Sequence, residues 1–272
     1  MNTRAMRAIV RRDLKIVGQT KGVLLPMIVV PVLMMIVLPA VLVAVPVLVP
    51  DVASELDDLS AMLAAMPDGL RQSLIGYTPA QQWVVLTVLY MLAPLYLIAP
   101  LMVASVIAAD SFAGEKERKT LEALLYTPTT DLELYAAKLL SAWLPAVAIA
   151  WIGFVLYGLV ANIGAWPVMG RIYFPNLSWV LLAFWVSPAI AALGLGVSVL
   201  VSVRVSSFQE AYQLGAVVVV LVVGLMIGQI SGVIYFSVGL VAVLGAILWL
   251  AAAATLWVGS HSFQRGQVLA RL

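Results

Sequence analysis

The chain has 272 residues, of which 64% are hydrophobic and 10% charged, with a formal net charge of +2 and a mean hydropathy of +1.09. Soluble domains carry roughly 25% charged residues, so an ordinary soluble globule is excluded and an integral membrane protein is expected. Cysteine is absent, which excludes a disulfide framework, thiolate chemistry and Cys-ligated metal.

At the N-terminus, in residues 1–21, Met6, Ile9, Val10, Leu14 and Val17 recur at helical spacing, while Arg4, Arg7, Arg11 and Lys15 form a second stripe. This pattern predicts an amphipathic helix lying in the membrane interface; the blander reading is a basic flank that only sets topology. The apolar run that follows is far longer than the roughly 7–15 residues of a signal-peptide core, so it is read as a retained span. About 20 apolar residues cross the hydrocarbon core. Six segments reach that length, at about 23–49, 83–109, 139–162, 179–203, 211–229 and 233–258. Pro26, Pro31, Pro39 and Pro46 in the first, and Pro94, Pro100 and Pro188 in others, predict kinks.

Between the first two spans, residues 51–68 hold five acids and no base. Val52, Leu56, Leu59, Leu63 and Met66 share one face if this stretch is helical; a solvated acidic loop is the equal alternative. The next outer loop carries Trp166, Tyr173 and Phe174, expected as interfacial anchors. In the fifth span Gly224 and Gly228 form a G-x-x-x-G pair, which serves either a subunit interface or packing within the chain.

Six spans put both termini on one side. That side then carries 13 Lys and Arg residues, with only Arg71 and Arg171 opposite. The positive-inside rule makes both ends cytoplasmic, including the tail 259–272, in a multi-pass protein of the plasma (inner) membrane.

Catalytic and nucleotide-binding patterns are missing. No stretch matches G-x-x-x-x-G-K-[ST], no H-E-x-x-H occurs, and the single His261 sits just past the last span. Catalysis on this chain is not expected, no metal or nucleic-acid site is evident, and membrane lipid is the only partner that composition names. The span interiors lack the ionisable side chains that mark ion pathways. Their mild polar residues, among them Tyr90, Tyr96, Tyr212 and Gln213, suit a path for a lipophilic or amphiphilic molecule.

Residues 110–138 are the exception to all this apolarity, holding ten of the 28 charged side chains. Helix formers run from Glu115 to Leu125, with Leu121, Leu124 and Leu125 on one side. Thr127-Pro128 breaks the run, and Thr130-x-x-Glu133 is a capping-box pattern that restarts a helix into the third span. The sequence Glu115-Lys116-Glu117-Arg118-Lys119-Thr120-Leu121-Glu122-Ala123-Leu124-Leu125-Tyr126-Thr127-Pro128, followed by Glu133 and Lys138, resembles the cytoplasmic signature of ABC-2 type exporter permeases. One departure is Lys119, which stands where the family commonly has glycine. The first outer loop, about 30 residues, is shorter than in sodium-exporter-like members.

The resemblance implies an all-α membrane protein in one permease domain: six transmembrane helices, an N-terminal interfacial helix, and a cytoplasmic coupling helix between spans two and three. It implies two permease subunits working with two separate P-loop ATP-binding subunits, which carry ATP and Mg, and no cofactor on this chain. Glu115, Glu117, Arg118, Thr120, Leu121, Glu122 and Leu125 map onto family positions and become expected ATPase-coupling contacts, with Leu124, Thr127 and Pro128 beside them. The alternatives are an ATP-independent carrier or channel, and a scaffold that uses the permease fold.

Overall fold

The structure, a computed structural model, describes residues 3–49, 68–120, 130–205, 207–231 and 233–262. A helix at Thr3–Gln19 turns at Thr20 into the first of six helices long and apolar enough to cross a membrane. These spans are Lys21–Leu48, Pro79–Glu117, Asp131–Gly164, Leu177–Ser202, Phe208–Ile230 and Val238–His261. There is no strand among the described residues. The suggested helix on the first outer loop, from Val52 to Met66, lies outside the described residues; a separate short helix occupies Asp68–Ser73.

Two boundaries differ from the apolar pattern. Span 2 continues eight residues beyond Ala109, and span 3 starts eight residues before Leu139. Asp110, Ser111, Glu115 and Lys138 are nevertheless buried. Protein rather than water covers these polar ends, so helix formers propagate past the apolar stretch.

Three of the prolines shape their spans in the same way. A widened turn occupies Leu33–Val37 before Pro39, Val85–Met91 before Pro94 and Leu182–Val186 before Pro188. Proline lacks an N–H and its ring collides with the carbonyl four residues back. That residue (Met35, Tyr90 and Phe184, respectively) lies inside each widened turn. Aromatic donors on neighbouring spans satisfy carbonyls in these turns, as a lipid environment demands. Trp179 Nε1 donates to the Leu89 carbonyl at 2.7 Å, Tyr157 Oη donates to that of Val88, and Trp151 Nε1 donates to that of Ala183 at 3.0 Å.

Spans 2 and 4 are the most buried, whereas spans 1, 5 and 6 leave most of their surface open. Glycines let span 4 approach two neighbours. A Cβ on Gly194 would meet Leu101 and, at 2.9 Å, Ser105 Oγ of span 2; one on Gly196 would meet Thr255 of span 6, with its Cβ at 2.9 Å. Toward the other end, Tyr157 stacks on Trp179 at 4.6 Å, and Phe174 and Tyr96 meet Trp179 edge-on at 5.0 and 5.4 Å. Phe174 is thus buried in the core rather than serving as an interfacial anchor, while Trp166 is exposed.

Candidate functional site

The end of the bundle that carries the 118–130 connection also holds its buried charges. The N-terminal helix presents Ile9, Asp13 and Val17 as its buried stripe, four residues apart along one face. Span 3 opens with the expected capping box: Thr130 Oγ1 accepts from the Glu133 N–H at 3.3 Å, and Glu133 accepts from the Thr130 N–H at 3.0 Å. A turn further on, Lys138 projects inward and is completely buried.

Lys138 Nζ donates to Glu115 Oε2 at 2.6 Å and to the Ser111 carbonyl at 2.7 Å, with Asp13 Oδ2 at 4.0 Å. The face of Phe112 lies 5.5 Å from the ammonium, adding a cation–π contact. Glu115 also accepts from Arg12 at 3.0 Å, and Ser141 Oγ reaches Asp13 at 3.3 Å. Two cations and two carboxylates from three remote segments thus form one neutral cluster. It joins the N-terminal helix to the base of spans 2 and 3.

Burial raises the Asp13 pKa above its ordinary 3.8, and the nearby Glu115 carboxylate adds to this; Lys138, Arg12 and the Ser141 hydrogen bond oppose it. A raised native pKa gives a contribution that is full below 3.8 and is lost as pH rises through the native value. Ionised Asp13 therefore costs stability at neutral pH. Asp13→Asn should raise the thermal unfolding midpoint at neutral pH. The gap to wild type should close as pH falls through the Asp13 titration.

Beyond the cluster, the chain is clasped on itself. Arg118 pairs with Asp110 at 3.0 Å, and Gly114 leaves the room for it, since a Cβ there would lie 2.8 Å from Asp110 Oδ1. Lys116 Nζ donates to the Val205 carbonyl at 3.3 Å. Glu117 accepts the Phe208 N–H at 2.9 Å, which ties this segment to the start of span 5. The helix of span 2 ends at Glu117 with Lys119 in the left-handed conformation at φ 56°. The residue that departs from the glycine pattern thus sits where glycine is the natural choice. A non-glycine residue there costs roughly 1–2 kcal/mol, partly offset by the freedom glycine has when unfolded. Lys119→Gly should stabilise the protein by about 1 kcal/mol in thermal unfolding, with Lys119→Ala as the unchanged control; the Lys119 side chain is exposed.

Of the expected coupling contacts, Glu115 is an internal ion-pair partner, whereas Glu117, Arg118 and Thr120 are exposed. Leu121, Glu122, Leu124, Leu125, Thr127 and Pro128 lie outside the described residues. The four residues suggested for a path are not brought together. Tyr96 is buried and donates to the Ala150 carbonyl at 2.8 Å. Tyr90 pairs with Tyr235, Tyr212 stacks on Phe208, and Gln213 is exposed. Gly228 packs against Ile234 of the same chain, while Gly224 faces open space. Asp13 and Arg12 were not singled out by the sequence. The available signal was an acid on the apolar stripe of a basic helix.

Six apolar helices, with buried charges where the second ends and the third begins, define a multi-pass membrane protein. The family model described as ABC-2 family transporter protein matches residues 8–243, and the chain belongs to that family as the membrane permease component of an ABC transporter. That family associates with an ATP-binding subunit. No curated protein and no solved structure matches the chain.

Proposed function

We propose that this chain is the membrane-spanning subunit of an ATP-driven exporter in the plasma membrane, with both termini in the cytoplasm. Two copies of the chain work with separate ATP-binding subunits, which carry the ATP and Mg, and catalysis resides on those subunits. The single observation that supports this reading is the buried Lys138–Glu115–Arg12–Asp13 cluster beside the 118–130 connection. A partner that moves the connection would move the N-terminal helix and the bases of spans 2 and 3 together, because their charges share one site. Glu117 extends the same linkage to span 5. The mild polarity of the spans favours a lipophilic or amphiphilic substrate. An apolar groove of about 750 Å³ on the flank of span 3, lined by residues including Phe154, Gly158 and Trp166, fits that class.

The test is reconstitution with the cognate ATP-binding subunit. Leu121→Asp with Leu125→Asp should abolish copurification and the stimulation of ATP hydrolysis, while the permease keeps its own unfolding midpoint. Unchanged association and stimulation would remove the coupling assignment. Hydrolysis measured across a panel of amphiphiles would then identify the substrate class.

A further inference from the structure

The N-terminal helix has a second face that the ion cluster does not use. Arg4, Arg7, Arg11 and Lys15 are exposed on it, spaced three or four residues apart, and Ala8 leaves a gap between them. Together with Arg12 they rim a surface depression of about 610 Å³. Among the described residues none of these four cations has a carboxylate within ion-pair distance. Four unneutralised cations on one side of one helix call for an anionic surface.

The position of the helix says which surface. Its buried stripe lies along the flank of span 3, with Asp13 against Ser141. Ser141 is ten residues, about 15 Å of helix, from the start of span 3 at Asp131. The helix therefore lies beside the bundle, not beneath its end, and its cationic face points away from the protein at that depth. Its C-terminus passes through one extended residue, Thr20, directly into span 1, which keeps it at the boundary of the apolar layer. Headgroups would occupy that level in a bilayer, whereas a soluble partner at the bundle end would meet the exposed Arg118, Lys119 and Thr120.

We propose that Arg4, Arg7, Arg11 and Lys15 bind the headgroups of anionic phospholipids, and that this contact presses the helix onto span 3. Arg12 stands between the two faces, with its Nη2 on Glu115 and its side chain 37% exposed. A headgroup layer gathered by the stripe therefore adjoins the ion cluster.

Hydrogen exchange of residues 3–19 in nanodiscs reads this directly, on the full permease without its partner. Adding phosphatidylglycerol to phosphatidylcholine should slow exchange in the helix on the order of tenfold, as expected for several cations at an anionic surface. High salt should reverse the effect. Arg4→Gln, Arg7→Gln, Arg11→Gln and Lys15→Gln combined should remove the lipid dependence, while exchange in span 3 and the unfolding midpoint stay at wild-type values. Inorganic phosphate and soluble glycerophosphoglycerol should not substitute for the bilayer. Equal protection in both lipid mixtures would overturn the proposal. So would protection that appears only when the ATP-binding subunit is added, which would assign the stripe to that protein.

Discussion

Lys138→Met should be the most damaging single substitution in the molecule. The ammonium is completely buried and supplies the hydrogen bonds to Glu115 and the Ser111 carbonyl. Its removal leaves Arg12 as the only cation paired with Glu115 and Asp13 among the described residues. Breaking one member of a buried pair costs about 3–5 kcal/mol, mostly through the charge left behind. A loss of that size is roughly a hundredfold to several thousandfold in the folding equilibrium. Thermal unfolding of the purified permease should show a large drop in midpoint, or the variant should fail to accumulate. The decisive comparison is Lys138→Met combined with Glu115→Gln. Removing the opposing charge restores neutrality, with Asp13 and Arg12 still balanced, so the double variant should recover much of the loss. A cost below about 1 kcal/mol for the single variant, or no recovery in the double, would mean that the cluster is solvated and mechanically idle.

Gly194→Leu should follow it in size. The new side chain would enter the contact between spans 4 and 2. The Leu101 carbonyl oxygen sits 3.3 Å and Ser105 Oγ 2.9 Å from the position of a Cβ. The backbone atom cannot yield without moving the helix, and the Leu101 side chain is itself buried. Overpacking of this kind costs about 1–3 kcal/mol, occasionally more. The upper end is expected here because spans 2 and 4 are the two most buried. Gly239→Leu is the matched control, since nothing lies within 4 Å of that glycine's absent Cβ. Unfolding midpoints of the two variants should differ clearly; equal values would show that the spans separate easily along this seam.

The number and order of spans were legible because each is a long apolar run, and that signal is strong enough to survive several prolines. The restart of helix at Thr130 was legible because a capping box is local: both partners lie within four residues. The ion cluster was not, because Arg12, Glu115 and Lys138 meet only after three distant segments pack. Read one segment at a time, each looked like part of a solvent-facing charged stretch, and the resemblance cast Glu115 as a contact with the ATP-binding subunit. The apolar rule also stopped the helix of span 2 too early and started that of span 3 too late, since it has no means of seeing that protein covers Asp110–Glu115 and most of Glu133–Lys138. Phe174 shows the same blindness for aromatics: an aromatic residue in an outer loop reads as an anchor until its neighbours Tyr157 and Trp179 are known.

A fourth widened turn, at Asp110–Gly114, has no proline to explain it. Such a turn is an α-helix that has absorbed one additional residue. The helix on either side keeps its angular phase, so Glu115 faces Lys138 across the added residue as it would without it. In evolutionary terms this is a place where the gene can gain or lose a codon without turning the helix below. A single deletion in the regular helix above, in contrast, rotates Glu115 by about 100° and takes it off its partner. Length variation among homologous chains should therefore gather in these five residues, next to the charges that tolerate displacement least.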